Sequence, residues 1–276
     1  MKKIPIIMPV YNRQHYLKEV LKALKKCSGI ERFYISTFEE NAIHKDSTTI
    51  SENNKLLDPI DWIDIRRNIN TEVRGCAGNI IRAIDNTCRS SENFVVLEDD
   101  IVPAVDFLDF MLWGFKNFDK NTVWVQGYSK NTENALKTQE LHNKIHKFQF
   151  FVPWGWGASK RLWLEYRKDF LKPIDPKGSW AIPFGIWLMK KKYFGYRCLI
   201  SRAQNIGEVG TFMQNPKLHK EKVRSEYWYG NINKPVGKFE LMDRVEYANP
   251  DHYKKYIDGV INNRDFRACF RDWESL

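Results

Sequence analysis

No run of about eighteen apolar residues occurs in this 276-residue chain, so nothing in it reads as a membrane-spanning helix. The opening Met1-Lys2-Lys3 followed by Ile4-Pro5-Ile6-Ile7-Met8-Pro9-Val10 has the order of a secretory leader. Prolines at 5 and 9 interrupt it, however, and no small-residue cleavage site follows. The expectation is a cytoplasmic protein, or one held peripherally on the inner face of a membrane. Cysteine is scarce: there are five (27, 76, 88, 198 and 269), an odd number with no CxxC pair and no metal-finger spacing. That excludes a disulfide framework and points to reduced thiols. Internal repeats and low-complexity linkers are also missing, which predicts one large domain with at most an appendage.

Charge of one sign is in short supply. Against 44 Lys and Arg stand 34 Asp and Glu, a surplus of +10. Such a surplus attracts polyanions, whether a nucleotide diphosphate, an anionic membrane or nucleic acid, without choosing among them. Basic residues cluster at 190–192 and between 217 and 224, runs that serve equally as solvated faces. A hydrophobic fraction of 43% with 14% aromatics excludes a disordered chain. Ten tryptophans either fill a core or offer flat surfaces to sugars and bases.

The chemistry concentrates in Phe94-Val95-Val96-Leu97-Glu98-Asp99-Asp100. Four apolar residues, two of them β-branched, are too few for a buried helix and read as an interior strand. Alternation along that strand puts Glu98 and Asp100 on one side and Asp99 on the other, at the carboxyl end where open α/β sheets bind ligands. Clustered like charges are costly to bury unless a hard cation or a hydroxyl-rich ligand meets them. The strand end is therefore a candidate divalent-metal and ligand site, with a solvated acidic turn as the alternative reading.

Around this stretch the pattern alternates. Ile4 to Val10 predicts a first strand. Leu17, Val20, Leu21 and Leu24 recur at helical spacing, and Phe33 to Ser36 predicts a second strand before the acidic pair Glu39-Glu40. Strand, helix, strand implies a parallel sheet with a right-handed crossover. Further strands are expected at Trp62 to Ile65, Thr122 to Gly127 and Cys198 to Ser201. Helices are expected around Ile80 to Ile84, over Ala104 to Asn117, Arg161 to Phe170 and Phe184 to Tyr193. A polar loop is expected from Tyr128 to Asn143, and only a small helix, His252 to Val260, beyond Tyr229. In Pro153-Trp154-Gly155-Trp156-Gly157 the glycines bring two indoles together, as a buried corner or as a platform.

Taken in order, these pieces resemble the GT-A class of nucleotide-sugar glycosyltransferases. Met8-Pro9-Val10-Tyr11-Asn12-Arg13 resembles the opening of family 2 glycosyltransferases. The segment from Asn70-Thr71-Glu72-Val73-Arg74-Gly75-Cys76 through Ala83-Ile84-Asp85 to Glu98-Asp99-Asp100 is similar to a bacterial group related to N-acetylglucosaminyltransferase I. Trp154-Gly155-Trp156-Gly157 and Ser201-Arg202 with Asn205-Ile206-Gly207 are similar to later segments of that group. The resemblance, over roughly residues 4–215, implies an α/β fold with a Rossmann-like, mostly parallel sheet flanked by helices. It implies a catalytic domain over 1–228, divided into a nucleotide-sugar-binding half (1–120) and an acceptor-binding half (121–228), and an extension over 229–276. The implied activity is transfer of a sugar from a UDP-sugar to a hydroxyl, with manganese or magnesium. By position, Asp100 takes the metal, and Glu98 and Asp99 meet the ribose, the sugar or metal-bound water. Pro9 and Tyr11 lie against the nucleotide, Arg13 faces a phosphate, and Glu39 falls near the position that reads uracil. Arg74 joins the nucleotide-sugar set, Trp154 and Trp156 face the acceptor, and His219 is a candidate late metal ligand.

One departure stands out. Inverting enzymes of this type carry an Asp just before the Trp of the helix matching Phe184-Gly185-Ile186-Trp187, whereas this chain has no carboxylate between Trp180 and Trp187. The catalytic base is then Asp175, which also suits a turn, or Glu208, or it is absent, and the stereochemistry stays open. A bacterial surface glycan or lipid-linked oligosaccharide fits the resemblance as acceptor. A hydroxymethylated base in DNA fits the positive charge, and a non-catalytic GT-A-like binding module fits the missing Asp. A nucleotidyltransferase would want a glycine-rich loop after the first strand, and Tyr11 to Gln14 contains no glycine.

Overall fold

A computed structural model describes residues 2–40, 47–130, 133–171, 180–208, 216–217, 219, 228–231, 234–247, 267 and 270–271. The chain opens with β1 (Ile4–Val10), α1 (Gln14–Leu24) and β2 (Phe33–Glu39), the βαβ unit that the hydrophobic pattern predicts. The residues α1 buries are Leu17, Val20, Leu21 and Leu24, the four that recur at helical spacing. There follow α2 (Ser47–Leu57), β3 (Ile65–Ile69), α3 (Gly75–Thr87), β4 (Asn93–Val96), β5 (Ile101–Pro103), α4 (Phe107–Asn117) and β6 (Thr122–Gln126). The remainder is α5 (Glu133–Lys137), β7 (Lys144–Phe148), β8 (Trp156–Ser159), α6 (Lys160–Asp169), α7 (Ala181–Lys190), β9 (Phe194–Cys198), β10 (Ala203–Asn205) and β11 (Glu240–Glu246).

Nine of these strands form one sheet in the order β11-β7-β9-β6-β8-β4-β1-β2-β3, and β5 and β10 form a separate two-stranded ribbon. β1, β2, β3 and β4 run parallel, β8 enters antiparallel between β4 and β6, and β9 is parallel to β6. This is the mostly parallel, helix-flanked sheet expected from the sequence. β4 shows why its run is apolar throughout: Phe94 and Val96 enter the core under α3, α6 and α7, while Val95 and Leu97 enter the core shared with α1 and α4. β1 and β2 pair in register from Ile4 with Phe33 to Val10 with Glu39, so the two strands end at the same level beside the end of β4. The carboxyl edge of the sheet thus collects three loops at one place. No helix among the described residues is long and apolar enough to cross a membrane.

Several boundaries differ from expectation. The third strand lies at Ile65–Ile69 rather than Trp62 to Ile65. As an edge strand it is polar, and the apolar Trp62 and Ile63 pack in the core just before it. The late strand is Phe194–Cys198, and the apolar Ile200 sits past its end against Ala104 and Tyr229. Ile101–Pro103 forms a short strand of its own, α4 begins at Phe107 rather than Ala104, and α7 begins three residues earlier than Phe184. The stretch read as a loop from Tyr128 holds α5, and β7 follows it. Residues 240–246, in the expected extension, form β11 at the sheet's edge. Ion pairs Lys144 with Glu240 and Arg197 with Glu246 (2.7 Å) hold it there. The helix expected at 252–260 lies outside the described residues.

The fully buried Arg202 fastens the later segment to the first half. Its Nε donates to Asp106 Oδ1 (2.9 Å), its Nη1 to the carbonyl of Ile200 (2.8 Å), and its guanidinium lies 3.6 Å from the Tyr229 ring centroid. Removing one partner of a buried pair strands the other charge. Arg202→Met should therefore cost about 3–5 kcal/mol in urea unfolding, with most of the loss recovered when Asp106→Leu is added. Equal losses in the single and double variants would refute this account.

Candidate active site

A cavity of about 760 Å³ opens at the carboxyl ends of β1, β2 and β4. Its floor is the acidic turn. The chain leaves β4 at Val96, and Leu97 N–H still donates to the Ile7 carbonyl (3.0 Å). Ile101 N–H then closes a turn on the Glu98 carbonyl (3.1 Å). Strand alternation therefore does not reach the carboxylates, which corrects the expectation that Asp99 faces away from Asp100. Both face Arg13, whose Nη1 donates to Asp100 Oδ2 (2.5 Å) and whose Nη2 donates to Asp99 Oδ1. Arg13 stands at the start of α1 without capping it through its side chain, so its fork is committed to the turn.

The β5–β10 ribbon supplies the opposite wall. Asn205 pairs with Ile101, and Ile206 N–H donates to the Asp100 carbonyl (2.9 Å). Gly207 follows because only glycine fits: a Cβ there would lie 2.2 Å from Asp100 Oδ2. Asn205 Oδ1 accepts from Gly207 N–H (2.8 Å) and lies 3.1 Å from the buried His219 Nε2, which must then carry the proton.

The electrostatics are those of crowded acid. Burial raises the pKa of Glu98, with the charge of Asp100 adding to it. Burial likewise raises that of Asp99, against the pull of Arg13. Burial works against the charge of Arg13, but Asp99 and Asp100 outweigh it and raise its pKa further. Cys76, also in the cavity wall, is pushed up to about 12 by burial and then by Glu98, so its thiol stays protonated. Burial thus favours the protonated forms of Glu98 and Asp99, and a divalent cation beside the three carboxyls would favour their ionised forms, which outnumber the one guanidinium. Carboxylate oxygens, the donors present here, fit manganese or magnesium. Among the described residues no three His, Cys, Asp or Glu side chains converge into a metal cage. Asp100 would therefore hold the ion with few protein partners, as is usual where phosphates and water complete the shell.

Pro9, Tyr11, Arg13, Glu98, Asp99, Asp100, Trp154 and His219 are brought together around this cavity. Glu39 is not. It is fully buried, and Arg67 Nε (2.7 Å) and Nη2 (2.6 Å) hold it as a fork-to-fork pair on the far side. Its neighbour Glu40 lines the cavity, accepting from the N–H groups of Arg74 and Gly75 (3.0 Å for the latter) at the start of α3. The acidic pair signalled the position, and alternation along β2 decides which member enters. Arg74 contributes that backbone donor, while its guanidinium pairs with Glu72. Trp156 is fully buried on β8, stacked 5.7 Å from Trp180 and edge-on to Phe151, so it is core rather than an acceptor platform. Trp154 stands in the cavity wall against Tyr128, with ring centroids 4.6 Å apart. Glu208 lines an adjoining cavity, and Asp175 lies outside the described residues. Tyr16, which borders both cavities, had no signal in the sequence beyond its place on α1.

No known protein-family profile matches the chain. Among solved structures it is similar to a mannosyltransferase, PcManGT, from Pyrobaculum calidifontis, solved with GDP-Man and Mn2+. The two share 17% identity at a TM-score of 0.50 over 70% of this chain and 53% of that one. Residues 1–349 of TarS from S. aureus also align, at 12% identity and a TM-score of 0.49 over 75% of this chain and 61% of that one. The same TarS fragment with UDP-GlcNAc aligns at 13% identity and a TM-score of 0.45, over 71% and 58%. The chain thus shares the fold of the mannosyltransferase and spans about half its length.

The raised carboxyls carry a pH signature. The folded chain keeps protons on Glu98 and Asp99 that the unfolded chain releases, so its stabilising advantage is complete at acid pH. It is lost as pH climbs from the ordinary carboxylate range through the raised values. Urea midpoints of metal-stripped protein should fall between about pH 5 and about pH 8, at no more than about 1.4 kcal/mol per unit for each group. Glu98→Gln should flatten the slope. A stability that rises over this window would contradict the site's charge balance.

Proposed function

We propose that the chain is a metal-assisted glycosyltransferase that moves a sugar from a nucleoside-diphosphate donor, a UDP-sugar in the first instance, to a hydroxyl. Its acceptor is a glycan or lipid-linked oligosaccharide. The observation that carries this reading is the excess of carboxylate around Arg13, set in a ligand-sized cavity at the carboxyl edge of the sheet. A manganese or magnesium ion bound at Asp100 would supply positive charge to the departing diphosphate. Arg13 is placed to exchange a carboxylate oxygen for a phosphate oxygen, which its planar fork binds equally well. Pro9, Tyr11 and the Val73–Cys76 segment border the space for the nucleotide, and Asp99 and Glu98 that for ribose or sugar hydroxyls.

In the transfer the acceptor oxygen bonds to the anomeric carbon as the bond from that carbon to the phosphate oxygen breaks. The electron pair leaves on the diphosphate. The acceptor's proton passes to a carboxylate, for which Glu208 is the described candidate. Its backbone N–H donates to Tyr16 Oη (3.1 Å), which holds this loop beside the carboxylate turn.

Mass spectrometry of the chain with a panel of UDP- and GDP-sugars, with and without manganese, tests the reading. One donor should be turned over. Asp100→Asn should reduce turnover by about a hundredfold or more, and Glu208→Gln should suppress transfer more than donor binding. Turnover of no donor under any metal would leave a non-catalytic binding module. Steeply salt-dependent binding to plain duplex DNA would instead move the acceptor to nucleic acid. Arg13→Met should weaken UDP binding by calorimetry by about 1.5–3 kcal/mol, the range for a hydrogen bond to a charged group. An unchanged affinity would remove Arg13 from the phosphate site.

A further inference from the structure

A second cavity of about 660 Å³ lies against the first and shares His15 and Tyr16 with it. The solvent-side residues Glu19 and Lys22 of α1, with Lys26 just past its end, form one wall; Val102 to Val105, Glu208 and Trp228 face them. We propose that this cavity is the acceptor site and that it takes a neutral saccharide, with Trp228 beneath a sugar face. The proposal rests on the glycosyl-transfer reading and names its second substrate.

Three observations carry it. The first is position. Glu208 follows Gly207, which packs on Asp100, so the two cavities meet beside the carboxylate turn, with the paired rings of His15 and Tyr16 (centroids 3.8 Å apart) as the partition. A displacement between two bound substrates requires adjoining sites of this kind. The second is charge. The donor cavity is strongly acidic, but here Lys22 and Lys26 balance Glu19 and Glu208, and Lys22 lies 4.0 Å from Glu19. A phosphate would meet two carboxylates, whereas sugar hydroxyls donate to carboxylates and accept from ammonium groups at once. The third is the aromatic wall. Gly230 has no side chain where a Cβ would stand 2.3 Å from the Trp228 ring, so the indole lies against backbone. It also packs on the cluster of Ala104, Ile200 and Tyr229. An indole held in this way offers an apolar face at little entropic cost.

Saturation-transfer NMR on the intact chain tests this, with lactose, maltotriose, chitobiose and cellobiose as probes and with saturating UDP and manganese filling the first cavity. At least one saccharide should give a signal that persists with UDP present. Its affinity should fall about tenfold or more in Trp228→Ala and be largely kept in Trp228→Phe. UDP affinity, measured by calorimetry, should be the same in all three proteins, which also establishes that the variants fold. No signal from any probe, displacement of the saccharide by UDP, or an unaltered affinity in Trp228→Ala would overturn the proposal while leaving the donor site standing. Failure of the wild-type chain to bind UDP would instead overturn the transferase reading beneath it.

Discussion

The repulsion among Glu98, Asp99 and Asp100, relieved in part by Arg13, is the constraint from which the architecture of this edge follows. Three carboxylates in one turn are tolerated because a guanidinium binds two of them and because the turn is tied down on both sides. Leu97 bonds to β1, and Ile206 bonds to the Asp100 carbonyl. Arg13 is eighty-seven residues away from Asp100 in sequence, yet the βαβ crossover sets the start of α1 directly beside the end of β4. The ion pairs thereby lock the first loop of the chain to the acidic turn. The residual negative charge is the property that a cation and a hydroxyl-bearing donor would use.

Helix α1 links the two halves of the site. Its apolar stripe faces the core, while His15 and Tyr16 in its first turn border both cavities and Glu19 and Lys22, with Lys26 just past its end, line the second. One element thus positions Arg13 against the carboxylate turn and a charge-balanced wall in the second cavity. The two cavities differ in electrostatic character: carboxylates crowd the first, while lysines and glutamates balance in the second.

Much of the candidate site was legible because its residues sit where strands end, and strand ends are marked by apolar runs. Pro9, Tyr11, Arg13 and the acidic triplet all fall there. The misplacements have one physical source: a motif fixes neighbours in sequence, whereas facing is decided by register and by the exact end of regular structure. Glu39 and Glu40 differ by one residue and point to opposite sides. Trp154 and Trp156 divide between cavity and core for the same reason, since β8 begins at Trp156 and buries it against Phe94 and Trp180. Asp99 joins Asp100 because the strand stops at Val96 and a turn, not a pleat, presents them.

By itself the sequence determined β1, α1 and β4, whose apolar patterning is local, and with them the parallel α/β class and the placement of an acidic cluster at a strand end. Only the tertiary structure decided the polar and short elements. β3 is an edge strand without an apolar signature, β11 joins the sheet by a parallel ladder on β7 with ion pairs to β7 and β9 beside it, and β5 and β10 pair across about a hundred residues of intervening chain. The reason is the range of the forces involved. Burial of a repeated apolar face is written locally in the order of residues. Charge pairing, close approach at Gly207 and the meeting of Arg13 with Asp99 and Asp100 exist only once distant segments have been brought together.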